Sequence, residues 1–174
     1  MILTLDILKA CMPYAGERAA IYVEALNHAM LEQSIDTMVR QACFLAQICH
    51  ESGSLRFTLE IDDGTAYEGR KDLGNVVPGD GPRYKGRGFL QITGRTNYEA
   101  CGQALGKDLL SDPAYLETPM GASRSATWFW KSRGLNELAD QGLFGTITKK
   151  INGGYNGLDD RIKHYVRIRK VFQI

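Results

Sequence analysis

The chain has 174 residues, 44% of them apolar and 24% charged, with a formal net charge of +1. That size suits one folded domain with a substantial core. The near-neutral balance excludes strong global electrostatic steering and argues against a general nucleic-acid binder. The charge is nonetheless uneven. From Lys149 to Ile174 there are seven Lys/Arg and two Asp, net +5, which leaves −4 for the rest. Such a basic end suits weak contact with an anionic envelope surface, or simply the wet side of a helix.

In chain order, residues 5 to 12 pattern as a short helix interrupted by Pro13. The start, Met1-Ile2-Leu3-Thr4-Leu5-Asp6, lacks a basic region followed by a long apolar run. No stretch reaches transmembrane length. Synthesis in the cytoplasm without a signal peptide is therefore expected. Residues 15 to 31 carry apolar positions at Ala19, Tyr22, Val23, Leu26, Ala29 and Met30, a helical spacing. His28 falls beside that stripe, as a surface or core-edge residue.

The central stretch is Phe44-Leu45-Ala46-Gln47-Ile48-Cys49-His50-Glu51-Ser52-Gly53. Apolar residues from Met38 to Cys49 are too dense for a surface stripe and predict a buried helix. Asp36 is the expected N-cap, and Gly53 supplies the backbone freedom that stops the helix. Glu51 thus rides to the rim of the core on a rigid support. A partly desolvated carboxyl group can hold a proton near neutral pH, as a general acid must. A second carboxylate, Glu60, follows beyond the helix end. Two carboxylates set apart in this way suit glycoside hydrolysis. On spacing alone, a capping or solvated Glu51 is the simpler reading. His50-Glu51 does not extend to a zinc-protease motif, because position 54 is Ser.

Arg56-Phe57-Thr58-Leu59 is β-like. Residues 64 to 88 are rich in Gly, with Pro78 and Pro82, and read as an ordered irregular excursion or short hairpin. Basic and aromatic residues alternate at Arg83, Tyr84, Lys85 and Arg87. Phe89-Leu90-Gln91-Ile92-Thr93 alternates like a strand, with Gln91 and Thr93 on one face. That face suits the floor of a groove or one wet side of a sheet.

Helices are expected over 97 to 104, 120 to 130 and 135 to 139. Trp128 and Trp130 can stack on sugar rings, but their helical spacing favours the core. Ile147 to Ile151 leads into a sharp turn at Asn152-Gly153-Gly154. A last helix, 160 to 172, is expected to face Ile162, Tyr165, Val166 and Phe172 inward and Arg161, Lys163, Arg167 and Lys170 outward. The four cysteines are 11, 43, 49 and 101. Cys43 and Cys49 lie roughly 9 Å apart along one helix axis, at about 1.5 Å per residue, too far for a disulfide. None has zinc-site spacing. They read as small buried apolar groups, and no metal or cofactor is expected.

Five blocks now stand in one order: His50-Glu51-Ser52-Gly53, Gly86 to Thr93, Asn97-Tyr98, Ile151-Asn152-Gly153-Gly154 and Asp160-Arg161-Ile162. Together they resemble the glycoside hydrolase family 19 chitinases and, more closely, the related phage and prophage endolysins. The resemblance runs from roughly residue 20 onward. It implies a mainly helical, lysozyme-like α+β domain over residues 1–174, two lobes flanking a glycan cleft and a small β-sheet beside it. No separate cell-wall-binding domain is expected. By similarity, Glu51 matches the general acid and Glu60 the general base, and Thr93 the residue that holds the attacking water. Glu68 is the rival to Glu60. Gln91 and Asn97 fall at substrate-contacting positions, and Asn152 and Arg161 at positions that support the carboxylates and line the cleft. His50 and Tyr84 complete the expected glycan-contacting set. The plant enzymes' disulfide cysteines and longer cleft loops have no counterpart here, and Thr96 replaces an aromatic that many of them carry.

The resemblance implies an inverting peptidoglycan glycan-strand hydrolase, an endolysin that lyses a bacterial host. It would act as a monomer, after release to the periplasm by a holin or similar partner, without cofactor or metal. A small chitinase is the alternative. An inactive glycan-binding homologue is a third reading, but it gives no chemical reason to keep Glu51, Glu60, Gln91 and Thr93 together. The missing export signal and the free-cysteine pattern favour peptidoglycan over chitin.

Overall fold

Nine helices carry the fold in the computed structural model, which describes residues 1–174. They are α1 (Leu5–Cys11), α2 (Arg18–Glu32), α3 (Met38–Glu51), α4 (Asp80–Arg83), α5 (Arg95–Leu105), α6 (Pro119–Ser132), α7 (Leu135–Asp140), α8 (Phe144–Asn152) and α9 (Leu158–Phe172). A cluster of 36 buried residues forms the hydrophobic core. The largest seams are α3 against α9 and α2 against α6.

α3 is the buried helix that its apolar density predicts: every residue from Gln41 to Cys49 is buried. Its cap is Thr37, whose hydroxyl accepts the Arg40 N–H at 3.2 Å. Asp36 instead pairs with Arg40 at 3.4 Å, one residue outside the cap. Both are short oxygen-bearing residues, and either could have served. Gly53, at φ +56, ends the helix.

The small sheet is not formed. The β-like segments meet only through two isolated bridges, Leu59 with Arg87 and Arg87 with Ile92. Gln91, at φ +50, takes a left-handed conformation in the middle of the predicted strand and breaks its run. The basic excursion is tied down from beneath by buried Asp80, whose carboxylate holds Arg95 at 2.6 Å.

α9 is turned relative to its expected facing. Arg161, His164, Ile168 and Phe172 point inward. Ile162 and Val166 are exposed instead. The reason lies on α3, where a carboxylate and an amide receive Arg161. Trp130 is fully buried, meets Phe44 edge-on at 5.5 Å and donates its indole N–H to Asn136, so it belongs to the core. All four cysteines are buried and free.

Candidate active site

Glu51 occupies the last turn of α3 with its side chain 23% exposed, while Arg161 from α9 is 1% exposed behind it. An Arg161 Nη2–H donates to Glu51 Oε1 at 2.6 Å. A charge-assisted bond from a buried guanidinium fixes the carboxyl group's orientation. Arg161 therefore supports the carboxylate, as the resemblance implies. Its burial keeps it from lining the cleft as a glycan-contacting residue.

His50 sits beside this pair. Its Nδ1 donates to Asp160 Oδ2 at 2.7 Å, and His164 Nε2 reaches the same oxygen at 3.1 Å. The His50 ring also packs on Gly157, where an added Cβ would stand 2.6 Å from two ring atoms. Gly157 has φ +72 and caps α9, so its lack of a side chain seats His50 on the start of the helix that carries Arg161. The hydrogen bond from His50, then the nearby His164, holds the Asp160 carboxyl below the usual carboxylate range. Burial pushes the His164 imidazole below its ordinary value.

Glu60 lies on the segment that leaves the α3 turn. Ser54 and Leu55, at φ +60 and +64, reverse the chain there. The Glu60 N–H bonds Gly86 O at 3.0 Å, and Tyr67 Oη–H donates to Glu60 Oε2 at 3.0 Å. Burial, and next the bond to Glu60, push the Tyr67 hydroxyl up, so it stays protonated and donates. Glu60 Oε1 is buried and has no hydrogen-bond partner. Gly86 separates Glu60 from Gln91. A Cβ there would lie 2.9 Å from Glu60 Oε2 and would collide with Gln91 Oε1. Only a glycine lets the carboxylate and the amide approach across this backbone.

Gln91 Oε1 is also buried without a partner, while its amide N–H donates to Gly88 O at 3.0 Å. Gln91 thus combines a left-handed backbone with an unpartnered acceptor, and such local strain concentrates at functional sites. A pocket of about 110 Å³ brings Gln91, Thr93 and Asn97 together under Trp128 and Arg133. Thr93 Oγ1 donates to Gln91 O at 3.2 Å, and Asn97 Nδ2 donates to Thr93 O at 2.7 Å. Polar groups between aromatic and aliphatic walls suit an amino sugar.

One predicted glycan contact does not hold. Tyr84 is 1% exposed, packs on Tyr98 at 5.3 Å and bonds Leu110 O at 3.3 Å, so it is a core residue. Asn152, exposed at the end of α8, makes no hydrogen bond to either carboxylate; its amide donates to Asn156 O at 3.5 Å in the loop before α9. Glu68 is engaged elsewhere. Its two oxygens accept the Gly79 and Gly81 N–H groups at 2.7 and 2.8 Å, which ties the excursion together.

Sequence reasoning missed Gln47 and Thr148 as parts of this neighbourhood, and it favoured the core for Trp128, which is half-buried and lines the pocket. Gln47 lies four residues before Glu51 on α3, accepts from Arg161 at 2.6 Å and donates to Thr148 at 2.9 Å. The available signal was an amide inside an otherwise apolar helical run, one turn before Glu51.

A family model described as chitinase class I of glycoside hydrolase family 19 matches residues 36–140. A Haemophilus influenzae protein named for a glycosyl hydrolase family 19 domain is 35% identical over 159 residues, covering 73% of this chain and 77% of that one. An Arabidopsis thaliana endochitinase is 39% identical over 146 residues, covering 76% of this chain but only 48% of the plant protein. Among solved structures, a bacterial family 19 chitinase aligns with a TM-score of 0.81 at 23% identity, over 98% of this chain and 95% of that one. Chitinase C of Streptomyces griseus aligns at 0.80 and 23%, over 98% and 76%. At that identity the two structures speak for the fold.

Proposed function

The chain belongs to glycoside hydrolase family 19, and from that premise we propose that it cleaves β-1,4 bonds of bacterial peptidoglycan glycan strands as an endolysin. It is a glycoside hydrolase of chitinase-like type with a mainly helical, lysozyme-like fold. The mechanism follows from two carboxylates held in different ways. Glu51, locked by Arg161, donates its proton to the leaving glycosidic oxygen. Glu60, with Oε1 free to accept, deprotonates a water on the opposite ring face. Thr93 holds that water, and Gln91 and Asn97 hold the sugar. Attack from the face opposite the leaving group inverts the anomeric centre, a geometry that needs carboxyl groups about 6.5–9.5 Å apart.

The observation that carries the reading is that the two carboxylates are held differently, Glu51 oriented at the end of α3 by Arg161 and Glu60 left with an unpartnered Oε1. The choice of peptidoglycan rests on other features. The chain carries no disulfide, and its cysteines are free and buried, as in proteins kept reduced. A cleft without the longer plant loops leaves room for the lactyl ether and peptide stem of muramic acid. On this reading the protein works as a monomer, is released by a membrane-permeabilising partner, and needs no metal. Mass analysis of fragments from purified sacculi tests the substrate. Muropeptides with a new reducing end support it, whereas efficient cleavage of soluble chitin oligomers with no release from sacculi overturns it in favour of a small chitinase.

A further inference from the structure

Arg161 is the pivot of the acid, and its own anchoring is unusual. Its guanidinium is held through two nitrogens only. Nη1–H donates to Gln47 Oε1 at 2.6 Å and Nη2–H to Glu51 Oε1 at 2.6 Å. Nε is buried and has no partner. Gln47 and Glu51 are four residues apart on α3, so they stack on one face and present two acceptors to one planar fork. Gln47 is itself fixed. Its Nε2–H donates to Thr148 Oγ1 at 2.9 Å, and Gln47 and Thr148 are both fully buried. An amide whose nitrogen is engaged by Thr148 can turn only its oxygen toward Arg161. The chain Thr148–Gln47–Arg161–Glu51 thus links α8, α3 and α9 through hydrogen bonds.

We infer that Gln47 is a positioning residue for the general acid: it aims Arg161 at Glu51 and, being neutral, leaves Glu51 as the only carboxylate bonded to the buried guanidinium. The inference rests on the reading of Glu51 as the proton donor. A carboxylate at position 47 would fill almost the same volume but would share the cation. An apolar residue there would leave Arg161 with one bond, free to swing. Other charged groups near Glu51 are few. His50 adjoins it and pairs with Asp160 of α9, whose same oxygen His164 also reaches, while α8 presents the uncharged Thr148.

The test compares Gln47→Met, Gln47→Glu and Thr148→Val by steady-state kinetics across pH, with purified sacculi and soluble chitin oligomers as substrates. Circular dichroism confirms the fold of each variant. Gln47→Met should lower kcat by about 10- to 100-fold, the scale set by a misaimed catalytic group, with little change in KM. Gln47→Glu should recover most of that loss. A second carboxylate on Arg161 adds negative charge beside Glu51, so the alkaline limb of the activity profile should move upward. Thr148→Val should shift kcat in the direction of Gln47→Met, but less. If Gln47→Met does not fold, the other two variants still decide. Folded variants with lower thermal stability but unchanged kcat and an unchanged alkaline limb would overturn the inference. Failure of the acid assignment would look different: Glu51→Gln itself would stay active.

Discussion

Glu51 and Arg161 lie 110 positions apart in the chain, yet their side chains meet at 2.6 Å across the seam of α3 and α9. The support of the proposed acid is therefore a product of the fold, and it can be removed from a distance. Arg161→Met should destabilise the protein by about 3 kcal/mol, because it breaks a pair whose cation is buried and leaves Gln47 and Glu51 without their donor. Arg161→Lys should recover part of the stability but little activity, since an ammonium cannot bridge two acceptors as a fork does. Denaturant unfolding and kinetics measure both. Activity close to wild type in Arg161→Met would contradict the support role.

Glu60 and Glu68 are separated by what they hold. Glu60 keeps an unpartnered oxygen beside Gln91, whereas both oxygens of Glu68 bind backbone N–H groups. Glu60→Gln should reduce kcat by about 10²- to 10⁴-fold, the usual share of general base catalysis. Glu68→Gln should cost about 1 kcal/mol of stability through weaker loop bonds and leave kcat nearly unchanged. The opposite pattern would move the base to Glu68.

Acid should loosen the α3–α9 seam. His164 is held below its ordinary value by burial, so the unfolded chain takes up a proton near pH ~6.5 that the folded chain accepts only at lower pH. Its contribution is present above about pH 6.5 and declines as pH falls toward the folded value. Asp160 is held low by His50, so its contribution is present above about pH 3.9 and is lost as pH falls through its folded value. Thermal midpoints should therefore fall between about pH 7 and 5, and His164→Leu should flatten that slope. An unchanged slope in His164→Leu would remove His164 from the account.

Much of this was legible before the structure. α3 announced itself because nine consecutive buried positions need a dense apolar run, and the helices at 97–104 and 120–130 kept their spacing with slightly wider ends, at Arg95–Leu105 and Pro119–Ser132. α8 was hidden. Gly145, Thr146 and Thr148 weaken helix propensity, and burial of Phe144 and Ile147 overrides it. The facing of α9 departs from its periodicity for the opposite reason. Apolar periodicity placed Arg161 outward, but two acceptors on α3 draw the guanidinium into the core, and Ile162 and Val166 turn to solvent. Tyr84 looked like a groove residue by alternation, which cannot register that its ring packs on Tyr98.

The outer side of α9 carries Lys163, Arg169 and Lys170, all exposed. If this surface draws the enzyme to anionic envelopes, Lys163→Gln combined with Lys170→Gln should weaken binding to envelope preparations severalfold at low salt. The difference should vanish as salt shortens the reach of charge, about 10 Å at 0.1 M. Equal binding at all salt concentrations would leave these residues as a solvated helix face.

The central claim is that a proton on Glu51 drives bond cleavage, and the Glu51→Gln enzyme tests it most directly. The amide keeps the size and the acceptor for Arg161 but has no acidic proton. Measured on purified sacculi alongside a thermal melt, Glu51→Gln should unfold near the wild-type temperature and lose at least about 10²-fold in kcat. A folded Glu51→Gln protein that releases fragments at the wild-type rate would contradict the account.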